Sequence, residues 1–275
     1  MRILQPAPNT AFGISSVPEW PTIEFRTDAS GPHRWDWTIT WRNFTKTGSA
    51  ATPDNRWDAR SDVTNSGGLL NVRVSAERAI ATVAVVIGGT NPSPAEISAY
   101  LTLKPTSRGM DRIIQHESKC RQFDKRGEPL RSFDNGYGLC QVTNPAPSIE
   151  QVWNWKLSVD LGLVVLAQKR ADAVRHLSQG KRTYTESQLN YETVSRWNGG
   201  AYHRWDDAQG VWVRRPDVLC DTSTGNIGWD MDKPDNTGKT LEQLRARDRG
   251  SYGAGRRGGA NWEYFGVCYA DHLLG

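Results

Sequence analysis

The sequence predicts a multidomain α+β chain, with an N-terminal antiparallel β-sandwich followed by a mainly α-helical domain. Three observations predict it. From about Pro21 to Gly89 the apolar residues recur with period two. Gly88-Gly89-Thr90-Asn91-Pro92-Ser93-Pro94 then interrupts the pattern with turn-forming residues. Beyond that break, as far as about Gln179, the signal is helical.

Trp35, Trp37, Ile39 and Trp41 alternate with Asp36, Thr38, Thr40 and Arg42, the pattern of a half-buried strand. Ile23 and Phe25 begin an earlier strand. Leu70, Val72 and Val74 alternate again, and Ala79 to Ile87 is a β-branched run. Turn residues such as Thr64-Asn65-Ser66-Gly67-Gly68 separate these segments. The expected organisation is an irregular leader over 1–18, rich in Pro, Ser and Asn, an immunoglobulin-like sandwich over 19–92, and one further domain over 93–275. That domain opens on Ser93-Pro94-Ala95-Glu96, where Ser93 caps a helix, Pro94 takes its first position and Glu96 completes a capping box. The tail from 180 onward is mixed, with a helix expected over Thr240–Asp248.

Hydrophobic residues make up 37% of the chain and charged residues 23%, which places it among folded globular proteins. The net charge of +4 is mildly favourable toward polyanions and too small to argue for nucleic acid. The longest apolar run, Leu161 to Ala167, is far short of the ~20 residues of a membrane span, so none is expected. The first residues, Met1-Arg2-Ile3-Leu4-Gln5-Pro6, lack the apolar stretch of a secretory signal. The twelve Trp are unusual for this length; each offers a broad flat face suited to a core or to a sugar-binding cleft.

Cys120, Cys140, Cys220 and Cys268 form no C-x-x-C pair, which argues against structural zinc. Two disulfides are permitted; Cys220 with Cys268 is the pair expected here, and four buried thiols are the alternative. His116 and Cys120 have the i, i+4 spacing of metal ligands on a helix, without a third ligand. Asp230, Asp232 and Asp235 read as a polar loop, so neither metal nor cofactor is expected. Gly238-Lys239-Thr240 imitates the end of a phosphate loop, but Lys233 stands where its first Gly is required. Arg245, Arg247, Arg249, Arg256 and Arg257 read as a solvated basic surface.

The chemistry concentrates in Arg108 to Phe123. On a helix, Met110, Ile113, Ile114 and Cys120 share one face, and Glu117 lies on it too. Burial there favours a protonated carboxyl, which is what a general acid needs. A Glu paired with Arg or Lys is the plainer alternative. Glu117-Ser118 is followed by Gly136-Tyr137-Gly138-Leu139-Cys140-Gln141. Together these resemble the lytic transglycosylase and goose-type lysozyme family, whose helix ends in Glu-Ser and is followed by a Gly turn into Gly-Leu-Met-Gln. Cys140 stands in place of Met. Ser158-Val159-Asp160-Leu161-Gly162 is similar to the family's Asn-Ile-x-x-Gly helix start, and Arg196-Trp197-Asn198-Gly199-Gly200 to its Tyr-Asn-x-Gly segment, with Trp197 in place of Tyr. The resemblance covers residues 96–205.

It implies a lysozyme-like fold for the second domain and cleavage of the MurNAc–GlcNAc β-1,4 bond of peptidoglycan without a cofactor. Glu117 would be the general acid and Asp134 a candidate helper, although Asp134-Asn135-Gly136 is also good turn chemistry. Ser118, Tyr137, Gln141, Trp197 and Asn198 would bind substrate; Ser118 could equally bond back to its own helix. Tyr191 or Tyr202 could supply the hydroxyl missing at 197. Hydrolysis is expected on account of Asp134 and the absent Tyr. The alternatives are a lytic transglycosylase, which leaves anhydro-MurNAc ends with a single Glu, and a non-catalytic wall-binding module. Without a signal peptide, the expectation is synthesis in the cytoplasm and action in the periplasm, after delivery by a secretion machine as an antibacterial effector or by phage lysis. The partners would be peptidoglycan, an immunity protein and a component of the secretion machine.

Overall fold

The computed structural model describes residues 1–105, 107–254 and 260–275. It is a mixed α and β chain, with a β-rich N-terminal region ahead of the helices, and it divides into two compact units, Met1–Leu163 and Val164–Gly275.

The first unit begins with eight strands: β1 (Ile3–Gln5), β2 (Ala11–Ile14), β3 (Glu24–Thr27), β4 (His33–Trp41), β5 (Phe44–Thr52), β6 (Arg56–Asp58), β7 (Gly68–Ala76) and β8 (Ala79–Gly89). They form a five-stranded sheet, β2-β8-β7-β4-β5, and a three-stranded sheet, β1-β3-β6. The period-two pattern becomes burial directly. Trp35, Trp37, Ile39 and Trp41 of β4 are buried, as are Leu70, Val72 and Val74 of β7 and Val83, Val85 and Ile87 of β8. Phe25 and Trp57 of the smaller sheet pack on Trp35, with ring centroids 6.4 and 5.8 Å away, so both sheets share one core. Each fully buried side chain of this size contributes about 1.5–3 kcal/mol.

Two expectations need correction here. The leader is not irregular, because residues 1–18 supply β1 and β2. Nor is the sheet purely antiparallel, because β2 runs parallel to β8, Ala11 opposite Val86 through Ile14 opposite Gly89. A three- or four-residue strand leaves too short a pattern to read as alternation.

The core also continues past the break at 88–94. Phe123, Tyr137, Ile149, Val152 and Trp153 join it. The Trp41 ring meets Tyr137 at 5.8 Å and Trp153 at 5.6 Å, both edge-on. Gly67 and Gly89 make room for this: a Cβ at Gly67 would lie 2.3 Å from the Trp153 ring, and one at Gly89 2.2 Å from Phe123. Packing therefore does not stop at the boundary expected near residue 92.

Four helices follow: α1 (Pro94–Thr102), α2 (Met110–Ser118), α3 (Ile149–Trp153) and α4 (Trp155–Leu177). Ser93 and Glu96 form the expected capping box of α1. Residues 119–148 are not helical, which corrects the continuous helical reading. Lys119 and Cys120 both have positive φ, 56° and 59°, and end α2 abruptly. The division between the units falls within α4.

The second unit holds the rest of α4, α5 (Glu186–Trp197), the hairpin of β9 (His203–Asp206) and β10 (Val211–Arg214), and a sheet of β11 (Val218–Cys220), β12 (Ile227–Asp230) and β13 (Glu263–Tyr264). α6 (Leu241–Asp248) and α7 (Gly266–Leu274) complete it. The Cys220–Cys268 disulfide forms as expected and ties β11 to α7, while Cys120 and Cys140 are free. The basic residues of α6 are not simply solvated. Arg245 donates to Asp221 at 2.6 and 2.9 Å, and Arg247 to Asp248 at 2.7 and 2.9 Å. Arg256 and Arg257 lie outside the described residues.

Two predictions follow from this packing. A Cβ at Gly48 would sit 2.3 Å from the Trp37 ring, so Gly48→Val should cost about 1–3 kcal/mol in urea unfolding; unchanged stability would contradict the cross-strand contact. In the second unit, burial pushes the Asp221 carboxyl up, but hydrogen bonds from Arg245, Ser223 and Tyr252 outweigh it and hold the carboxyl at about 2, below its ordinary 3.8. A depressed carboxyl stabilises the fold above pH 4 and loses that contribution as pH falls from about 4 to about 2. Near-ultraviolet circular dichroism should show this acid step, and Asp221→Asn should lack it.

Candidate active site

Helix α2 carries Glu117 in its last turn. Met110, Ile113 and Ile114 are fully buried beneath it, and Glu117 itself is half-buried. Cys120 does not share this helical face, as the sequence suggested, because the helix has ended at Ser118. Its thiol turns back to Gln115 Oε1, at 3.1 Å. That also removes the helical i, i+4 geometry of the His116–Cys120 metal reading.

The turn at 136–141 meets α2 and α4 through Cys140. Its thiol is fully buried, 3.9 Å from Met110 Sδ. A Cβ at Gly162 of α4 would lie 2.6 Å from Cys140 Sγ and 3.3 Å from Met110 Cε, so glycine is what permits this approach. Burial pushes the Cys140 thiol up, and the negative charge of Glu117 adds to the shift. The Glu117 carboxylate therefore lies within electrostatic reach of the point where α2, the turn and α4 meet. Three separated stretches of sequence, around residues 117, 140 and 162, converge there. α4 begins earlier than the expected Ser158: Asn154 Oδ1 accepts the N–H groups of Lys156 and Leu157, at 3.0 and 3.4 Å, and starts the helix at Trp155.

A residue that the sequence reading passed over holds the turn in place. Gln122 is fully buried. Its amide donates to the Val152 carbonyl at 2.7 Å and accepts the Leu139 N–H at 2.9 Å. Gly138, at φ 63°, leaves only 2.3 Å between a would-be Cβ and the Gln122 amide. The Asn91 side chain in turn accepts the N–H groups of Gln122 and Phe123 and donates to the Phe123 carbonyl. No periodicity marks such a residue; only its position between two polar backbone groups gives it this role.

The other candidates are placed unevenly. Ser118 is buried and its hydroxyl donates to the Ile114 carbonyl at 3.0 Å, the back-bonded alternative. Gln141 is half-buried, and its amide donates to the Gly138 carbonyl at 2.6 Å. Tyr137 is mostly core, edge-on to Trp41 and Phe44. Asp134 is exposed in its turn and takes a hydrogen bond from the Ser132 hydroxyl. Asp134 and Tyr137 line a cleft together with Arg42, Phe44 and Arg131, and Glu117 is not among its lining residues.

Trp197 and Asn198 belong to the second unit. Trp197 ends α5, Asn198 caps it, and both are half-buried. The hydroxyls of Tyr191 and Tyr202 donate within the same unit, to the Leu274 carbonyl at 3.1 Å and to Asp271 at 2.6 Å. Burial pushes the Tyr202 hydroxyl well above its ordinary value, and Asp271 adds to the rise. Glu192, fully buried in α5, went unnoticed in the sequence. It accepts the backbone N–H groups of Tyr202 and His203 at 3.0 Å and pairs with Arg196 at 2.8 Å. Burial works to raise the Glu192 carboxyl, but these partners and the His203 ring hold it below its usual value. Asp217, Asp230 and Asp232 bring carboxylate oxygens within 4.8 Å of one another; Asp217, distant in sequence, joins two residues of the expected polar loop, and Asp235 is not in the group. Arg215 is bound to Asp217, so a cation of the chain itself serves this group.

Gln122→Leu keeps the volume and removes both amide bonds. It should cost roughly 1–3 kcal/mol for each stranded backbone group. Urea unfolding of the variant measures this, and a loss below 0.5 kcal/mol (about the noise of such a comparison) would contradict the buried clip.

No helix among the described residues is long and apolar enough to cross a membrane. No protein-family model and no curated protein matches this chain.

Proposed function

We propose that this protein cleaves peptidoglycan glycan strands at the MurNAc–GlcNAc β-1,4 bond, with Glu117 as the general acid. The observation that carries the reading is the placement of Glu117: a half-buried carboxyl in the last turn of α2, within electrostatic reach of buried Cys140, which Gly162 approaches closely. Glycoside cleavage needs a proton donor at the leaving oxygen. The ordered motifs Glu117-Ser118, Gly136–Gln141, Ser158–Gly162 and Arg196–Gly200 support the same chemistry.

The hydrolytic version, a muramidase, needs a base on the far side of the sugar ring. Asp134 is the candidate, but it is exposed in a turn and lines a cleft that does not include Glu117. That position favours a second reading, transglycosylation with Glu117 alone, in which the sugar's own hydroxyl closes an anhydro end. The Cys220–Cys268 bridge supports action in an oxidising compartment such as the periplasm. An effector delivered there would require an immunity protein in the producing cell.

Digestion of purified sacculi, read by mass spectrometry, tests both readings. Glu117→Gln should lower muropeptide release by about 10²–10⁴-fold; release at the wild-type rate would remove Glu117 from the chemistry. Asp134→Asn should reduce the rate comparably if Asp134 is the hydrolytic base, and only slightly in the single-carboxylate mechanism. Reducing MurNAc ends identify hydrolysis and anhydro ends transglycosylation. Binding without release by the wild type would leave a wall-binding module.

A further inference from the structure

The cleft that holds Asp134 has a construction of its own. Its volume is about 630 Å³, within the range of small-molecule sites. One wall is the β4–β5 turn, with Arg42 and Phe44; the other is the loop carrying Arg131, Asp134 and Asn135, with Tyr137 at the base. The β-rich region and the motif-bearing loop therefore build it jointly.

Its chemistry is specific. Arg42 occupies the first position of a two-residue turn at φ 53°, where glycine is the cheaper residue. Its guanidinium rests 5.2 Å over the Trp41 ring, and its nearest carboxylate is Glu128, at 3.9 Å. Arg131 is oriented by the side-chain oxygen of Asn135, with Nε at 2.9 Å. That acceptor is neutral, so it directs the guanidinium without cancelling its charge. Among the residues lining the cleft Asp134 is the carboxylate, itself bound to the Ser132 hydroxyl, and Glu128 reaches Arg42 from outside the lining. Phe44 presents aromatic surface in the cleft, with buried Tyr137 beneath it, and neighbouring Phe133 is 92% exposed. Two guanidinium groups beside aromatic faces suit a sugar ring that carries a carboxylate.

We propose that this cleft is a subsite for a carboxylate-bearing amino sugar, bound through Arg42 and Arg131 with the ring against Phe44. Identifying that sugar as a muramyl residue freed of its stem peptide, the form in which its lactyl carboxylate is uncovered, rests on the cleavage reading above. The β-rich region then takes part in recognition, because its β4–β5 turn supplies one of the two cations.

Calorimetric titration with two disaccharides tests this: GlcNAc–MurNAc, which carries a carboxylate, and chitobiose, which does not. Both are titrated into Glu117→Gln protein so that no bond is cut. The acidic sugar should bind at least about tenfold more tightly, the size expected for one charge-assisted contact. Arg42→Gly, which suits the positive φ and so keeps the turn, should abolish that preference and leave chitobiose unaffected. Arg131→Gln should do the same. Equal affinity for the two sugars, no binding of either, or a preference that survives in both variants would overturn the proposal. Digestion of amidase-treated sacculi, whose muramyl carboxylates are free, with Glu117 intact separates the two ideas. Cleavage at unaltered KM in both arginine variants, with the preference unchanged, sinks the subsite alone. An arginine-dependent preference in a protein that cuts nothing sinks the cleavage reading alone.

Discussion

The buried amide of Gln122 is the constraint on which the candidate site depends. It bonds to the 136–141 turn through Leu139 and to the end of α3 through Val152, with no water to compete. Gly138 lets the turn lie against it, and Asn91 anchors its backbone to the edge of the sheet region. Held in this way, the turn sends Cys140 inward, toward α2 and Gly162. It leaves Asp134 on the outer surface.

Three carboxyl groups show how environment, rather than residue type, assigns a role. Glu192 sits on a buried helical face, paired with Arg196 through one carboxylate oxygen and bonded to the His203 ring and two backbone N–H groups through the other. Such a group stays charged and holds structure together. Asp134 is solvated and bound to a turn hydroxyl. Glu117 is half-buried in the last turn of α2, and its charge reaches the buried Cys140 thiol. Glu192 and Glu117 both fall on amphipathic helices, so periodicity alone does not tell them apart.

Much of the first unit was legible because alternation over nine residues leaves little freedom. The row from Trp35 to Trp41 could bury one face only, and it does. Capping chemistry is equally local, so Ser93-Pro94-Ala95-Glu96 marks its helix correctly, and the helix expected over Thr240–Asp248 runs from Leu241 with Thr240 as its cap. The segment 119–148 was not legible. It has neither period, and its shape comes from left-handed residues at Lys119, Cys120 and Gln141 together with long-range bonds to Asn91 and Val152. The short strands β1 and β2 were missed for a related reason: each exists only because a partner strand lies beside it.

Glu117 shows where the two sources of information divide. The order of residues by itself determined that a carboxyl rides the apolar side of α2 and that a glycine-rich turn and a glycine-bearing helix follow. It determined the bridge partners no further than an even cysteine count allows. The tertiary structure decided that Cys140 and Gly162 close on that helix, that Ser118 bonds back to Ile114, and that Asp134 belongs to a cleft shared with Arg42. Those are contacts between residues distant in sequence. They depend on which surfaces exclude water together, and no local pattern of side chains encodes that.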